Sequence, residues 1–182
     1  MSSTDTIDTG NNAQDHLALF TGCHARIREK VDRMRQIPAM VARGAQNEAA
    51  ETAQDVVRFF ENTVLSHHRD EERVLWPMLS KFAPDAQEYE TVQAIAARLK
   101  REHEEMESLW ARIEPGLRGL TRGKTVSLVE AELAELSNRY DAHADYEDAV
   151  VVPMARFLLD PTEQHRLAIQ VAMQNLPVRG YI

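Results

Sequence analysis

Two stretches of this sequence carry the same chemistry. His67 to Met78 and His143 to Met154 align without gaps at an offset of 76, and His, Glu, Val, Pro and Met coincide. Each opens with His-x-x-x-Glu, giving His67 with Glu71 and His143 with Glu147. On a helix that spacing puts both side chains on one face, one turn apart. One earlier histidine precedes each pair, His24 before the first and His103 before the second. Imidazole nitrogens and carboxylate oxygens are ligands for hard and borderline cations.

The elements that would position these residues are helices. Phe20, His24, Ile27, Val31 and Met34 step by four, three, four and three residues, and Leu99, His103, Met106, Trp110 and Ile113 repeat the steps. Phe60, Val64, His67, Glu71, Val74 and Met78 form a third stripe; Leu136, Tyr140, His143, Glu147, Val150 and Met154 form a fourth. No window shows the sustained alternation of a strand. The spacing predicts an all-α fold: an antiparallel four-helix bundle made of a duplicated helical hairpin. Expected helices run over about 14–36, 46–81, 85–114 and 126–158. Pro115-Gly116 is expected to end the third, and Asp160-Pro161 to open a short extra C-terminal helix. Three regions follow: a disordered tail over 1–13, the bundle over 14–160, and the short helix with its tail over 161–182.

Six ionisable residues fall on stripes that should be apolar. A buried carboxylate without a partner costs several kcal/mol or changes its protonation. An ordinary core explains one buried histidine, but not six such residues at matched places in a duplicated hairpin. A metal centre explains them together. Six nitrogen and oxygen ligands without thiolate are too many for one tetrahedral zinc and suit two octahedral ions, with iron as the expected metal. Two such ions have about twelve positions, of which four histidines, two bridging glutamates and an oxide or hydroxide bridge fill about ten. The remainder would admit dioxygen, peroxide, nitric oxide or water.

Composition narrows the partners. The chain has 182 residues, a net charge of -8 and one cysteine, Cys23. A net negative charge disfavours a nucleic-acid partner, a single cysteine excludes an internal disulfide, and no apolar run is long enough to span a membrane. A cytoplasmic location is expected.

The pattern of one His, then His-x-x-x-Glu, then one His, then His-x-x-x-Glu resembles the hemerythrin-like, or HHE cation-binding, domain. "HHRDEERVLWPML" and "HADYEDAVVVPMA" are similar to its two signature segments, including the proline six residues after each glutamate, and "LKREHEEME" is similar to its third-helix segment. The resemblance spans about residues 14–160. It implies a non-heme di-iron site inside a four-helix bundle, with His24, His67, Glu71, His103, His143 and Glu147 as ligands. Oxygen-carrying hemerythrins have a second histidine on the third helix, where this chain offers Glu107 after His103. Its set of four His and two Glu is closer to that of the iron–sulfur-cluster repair branch.

The function expected is binding of, or reaction with, a small diatomic or peroxide at the iron centre. A di-iron enzyme and an iron sensor or store acting through a protein partner are the alternatives. His68 lies about 100° around the helix from His67 and is expected on a solvated flank, with a fifth nitrogen ligand as the alternative. Glu107 is expected at the rim. Glu72 and Asp148 are expected to hydrogen-bond ligand histidines or water. Cys23 is expected to be an inert buried thiol.

Overall fold

The computed structural model describes residues 17–124 and 128–174, without the side chains of residues 19, 20, 173 and 174. The tail over 1–13, the Phe20 side chain and the last residues of the 161–182 region lie outside the described residues. All regular structure among the described residues is helical. Helix α1 spans Ala18–Arg35 and α2 spans Ile37–Ala42. A continuous helical run follows over 46–82: α3 (Gln46–Phe59), a wide π turn (Phe60–Val64), α4 (Leu65–Asp70), a second π turn (Glu71–Leu75) and α5 (Trp76–Phe82). Helix α6 spans Ala86–Thr121. The last long run is α7 (Glu130–Tyr146), a third π turn (Glu147–Val151) and α8 (Val152–Leu158), followed by α9 (Pro161–Gln174).

Local chemistry sets several boundaries. Asp85 accepts a hydrogen bond from the Glu88 N–H at 2.8 Å and caps α6; Asp160 does the same for the Glu163 N–H at 2.9 Å and opens α9. Gly44 (φ +79°) and Gly123 (φ +69°) follow α2 and α6 in the left-handed conformation that glycine adopts without a Cβ penalty. Pro38 lies within the first turn of α2, where a missing N–H costs little, so the chain re-enters helix beyond it.

Pro115 does not end α6, contrary to the expectation from sequence; the helix runs six residues further. The apolar stripe continues through Ile113, Leu117 and Leu120, all buried, and that burial offsets the hydrogen bond proline removes. Gly116 serves close packing: a Cβ there would sit 2.6 Å from a Leu128 methyl.

Helix α1 packs on α3 and α7, and α6 packs on the same two helices. Two apolar clusters fill the interior. One gathers Ile27, Val31, Val56, Phe60, Trp110, Ile113 and Leu136; the other gathers Leu17, Leu75, Leu79, Leu99, Val151, Ala155 and Leu167. Along each of the four long runs the predicted ligands stand between residues of one cluster and residues of the other.

The π turns change the register of burial. In two of them the widening starts at a predicted carboxylate ligand: Trp76 N–H bonds the Glu71 carbonyl, and Val152 N–H bonds the Glu147 carbonyl, five residues back rather than four. Pro77 and Pro153 follow at once as the second residues of α5 and α8. The wider turn relieves the clash a proline ring makes with the carbonyl four residues earlier. The stripe therefore slips by one residue: Leu79 is fully buried and Met78 half-buried, and Val151 and Ala155 are buried where Val150 and Met154 are half-buried.

Candidate metal centre

Six side chains from four helical runs meet between the two apolar clusters. His24 comes from α1, His67 from α4 and Glu71 from the turn that follows it; His103 comes from α6, His143 from α7 and Glu147 from the turn after that. All six are buried. Their ligand atoms form two groups, His24, His67, Glu71 and Glu147 in one and Glu71, His103, His143 and Glu147 in the other, with every pair of atoms in a group within 4.8 Å. The two glutamates belong to both.

The carboxylates divide their oxygens between the groups. Glu71 places Oε1 at 3.1 Å from His67 Nε2 and Oε2 at 3.3 Å from His103 Nε2. Glu147 places Oε2 at 3.0 Å from His24 Nε2 and Oε1 at 3.4 Å from His143 Nε2. The histidines pair as well: Nε2 atoms are 3.1 Å apart between His24 and His67, and 3.1 Å apart between His103 and His143.

A carboxylate stands behind three of these rings. His24 Nδ1 donates to Asp148 at 2.7 Å, His103 Nδ1 to Glu72 at 3.0 Å and His143 Nδ1 to Glu102 at 2.9 Å. A carboxylate only accepts, so each Nδ1 carries the hydrogen and each Nε2 is presented inward, the arrangement that outer partners impose on metal-binding histidines. Arg28 holds Asp148 in place, and Arg98 holds Glu102.

The donor set fits a cation. Glu71 Oε2 and both carboxylate oxygens of Glu147 are buried without a hydrogen-bond partner. Buried carboxylate oxygens left unpaired are costly, and a cation between the two groups would satisfy them.

Without metal, protons do part of this work. Burial disfavours a charged His24, but the adjacent carboxylates of Glu147 and Glu71 outweigh it and raise the imidazole to about 10. The same contest, led on the raising side by Glu71, puts His103 at about 9. At His67 burial wins over the pull of Glu71 and Glu147, and the ring falls to about 4. Burial would raise Glu71, yet the charge of His67 and the close imidazoles of His103 and His24 keep its carboxyl well below the ordinary range. The Glu102 carboxyl is lowered to about 2, chiefly by its hydrogen bond from His143.

The neighbouring residues depart from expectation at one point. His68 is 1 % exposed rather than solvated, and Glu107 at the rim accepts from its Nδ1 at 2.9 Å. A helix flanked on two sides buries residues 100° apart, and His68 fills the second flank by stacking on His103. Glu102 carried no spacing signal, since it is only the residue before His103 in a charged run. Cys23 is buried, and burial pushes its thiol up to about 11.

An all-helical chain with a buried cluster of histidines and shared glutamates is a metal-binding helical protein. Residues 15–155 match the hemerythrin HHE cation-binding domain, and the chain belongs to that family. No individual curated protein matches it. Among the described residues no helix is long and apolar enough to cross a membrane.

Proposed function

We propose that the chain is a non-heme di-iron protein, built as an antiparallel four-helix bundle over residues 14–160, that binds or reacts with dioxygen, nitric oxide or peroxide. The observation that carries this reading is the sharing of Glu71 and Glu147 between two groups of ligand atoms. One cation needs only one group. Two carboxylates that each turn one oxygen to either side suit two cations held close together. His24 and His67 would hold one ion, His103 and His143 the other, and Glu71 and Glu147 would bridge them. When bound, the pair of irons supplies electrons and exchangeable coordination positions.

The chain's own residues do the rest. Asp148, Glu72 and Glu102 fix the tautomers of three histidines and keep their lone pairs facing inward. Leu17, Leu75, Val151, Val152 and Ala155 wall a small apolar cavity that reaches His24, Glu71 and Glu147. That lining keeps the surroundings of the centre on the His24 side apolar.

Metal analysis with optical titration tests the reading. Protein made under iron-replete conditions is expected to hold two irons, and its reduced form to change its absorption on addition of dioxygen, nitric oxide or peroxide. One tightly held zinc and no iron would refute the proposal.

A further inference from the structure

The two halves of the centre differ in what surrounds them. The offset of 76 that carries Glu71 to Glu147 carries His68 to Ala144, and the same offset relates Tyr140 to Val64. One half is thus backed by two polar side chains, and the corresponding places beside the other are apolar and buried. His68 lies parallel to His103, with ring centroids 3.9 Å apart and planes 4° from each other. The Tyr140 ring is also near-parallel to that of His68, with centroids 5.9 Å apart and planes 21° from each other.

Two polar atoms of this pair are buried and unpartnered, His68 Nε2 and the Tyr140 hydroxyl. Their chemistry follows from the neighbours. Glu107 takes the Nδ1 hydrogen of His68, so Nε2 keeps a lone pair and can only accept. The Tyr140 hydroxyl has a hydrogen to donate. Each atom lacks what a buried polar group normally finds, and such orphans call for a ligand or a water.

His68 does not serve as one more ligand to the ion that His103 would hold. An imidazole keeps its metal close to the plane of its ring. Two stacked rings lie in separate parallel planes, so one ion cannot lie in both. His68 also belongs to neither group of mutually close ligand atoms.

We infer that His68 and Tyr140 form the wall of a site for a small protic ligand beside the His103–His143 half, with Tyr140 donating to it and His68 accepting from it. Hydrogen peroxide and water have the required donor and acceptor; dioxygen and nitric oxide have no hydrogen to give. The inference rests on the di-iron reading and assigns a ligand class to one side of that centre. The wall beside His24, on the other side, is apolar. Tyr140 and His68 are positioning residues, acting on the ligand through hydrogen bonds.

The test uses azide, an anion that accepts hydrogen bonds and has none to donate, titrated optically into the oxidised, iron-loaded protein. Tyr140→Phe removes only the hydroxyl and keeps the ring that packs edge-on against Phe60 at 5.7 Å. It is expected to weaken azide about tenfold, the loss of one hydrogen bond to a charged group. His68→Phe keeps a ring to stack on His103 and removes a lone pair that faces an acceptor-only anion. It is expected to leave azide as tight as in the wild type or severalfold tighter. Both variants should retain two irons. A crystal structure of the loaded wild type should place one oxygen atom within hydrogen-bond reach of His68 Nε2 and the Tyr140 hydroxyl.

Weakening confined to Tyr140→Phe supports the inference, because a merely structural role would weaken binding in both. Equal weakening, loss of iron from either variant, a visible tyrosinate–iron band that disappears in Tyr140→Phe, or a direct His68–Tyr140 hydrogen bond in the crystal overturns it. No azide binding, or unchanged affinities with two irons retained, overturns this inference alone. A wild-type protein that holds no iron overturns the di-iron reading, and is recognised before any azide is added.

Discussion

Glu71 and Glu147, 76 residues apart in the chain, play mirrored parts: each is buried, and each turns one carboxylate oxygen to a histidine of one group and the other oxygen to a histidine of the second. Each also begins a π turn and is followed six residues later by a proline. The same short segment thus sets the shared carboxylate and the local helix geometry in both halves. Wide turns of this kind occur often at functional sites, where they re-aim a side chain that a regular helix would place differently.

The shared carboxylates predict a stoichiometric effect. Glu71→Gln and Glu147→Gln keep the side-chain shape but remove the charge and one good ligand oxygen. Each is expected to reduce iron from two per chain to one or fewer, measured by colorimetric iron against protein mass. A Glu147→Gln protein that still holds two irons as tightly as the wild type would remove Glu147 from the bridge.

Stability of the metal-free protein should depend on pH in a direction set by its histidines. His24 and His103 stand at about 10 and 9 in the folded chain, against an ordinary value of 6.5. Raised values mean that their contribution is complete below the unfolded value and is lost as pH rises through 9 to 10. His67, lowered to about 4, acts the other way and disfavours the folded state as pH falls below 6.5. Metal must displace the protons on His24 and His103, so loading at pH 7 should release on the order of two protons per chain. The melting-temperature gap between loaded and metal-free protein should widen from pH 6.5 to 9 and shrink toward pH 5. Thermal melts at several pH values, with calorimetric titration in two buffers, check both statements; a gap that narrows with rising pH would contradict them.

Much of this was legible in the sequence, and the exceptions have physical causes. The four stripes depend on a local period, and every described stripe residue before Glu71 or Glu147 in its run is buried as the spacing predicts. Beyond those two glutamates Val74 is still buried, but the period fails by one residue at Met78, Val150 and Met154. The proline that marks the wide turn was visible, but periodicity assumes a constant turn. Pro115 reads as a terminator because its rule is local, while the burial of Leu117 and Leu120 is tertiary. His68 and Glu102 gave no signal for the same reason: their roles depend on which helix lies alongside, not on spacing within their own.

The carboxylates behind the histidines should matter nearly as much as the ligands. Glu102→Gln keeps a hydrogen-bond acceptor for His143 but loses the negative charge, and Asp148→Asn does the same behind His24. Outer partners of metal-binding histidines are worth about 10–100-fold in metal affinity. Competition with a coloured chelator should show a loss of that size in each variant, with helicity by circular dichroism unchanged. Affinity equal to wild type in both would mean that the rings are oriented by packing alone.

The slip in register makes the last prediction, and it concerns neighbouring residues. Past Glu71 a regular helix would bury Met78, whereas the π turn buries Leu79 completely and leaves Met78 partly exposed. Leu79→Ala should therefore cost about 2–5 kcal/mol, the usual range for deleting a buried leucine side chain. Met78→Ala, at a half-buried place, should cost roughly 1 kcal/mol. The second half offers an independent copy: Val151→Ala should cost more than Val150→Ala, because Val151 is buried and Val150 is not. Denaturant melts of the four metal-free variants give the comparison without interference from iron. If the turns were regular α-helix, the order would reverse in both halves at once, since one missing residue of slip rotates the whole segment by about 100°. A reversal in only one half would instead mean that the duplicated segments have diverged in backbone geometry while keeping the same ligands.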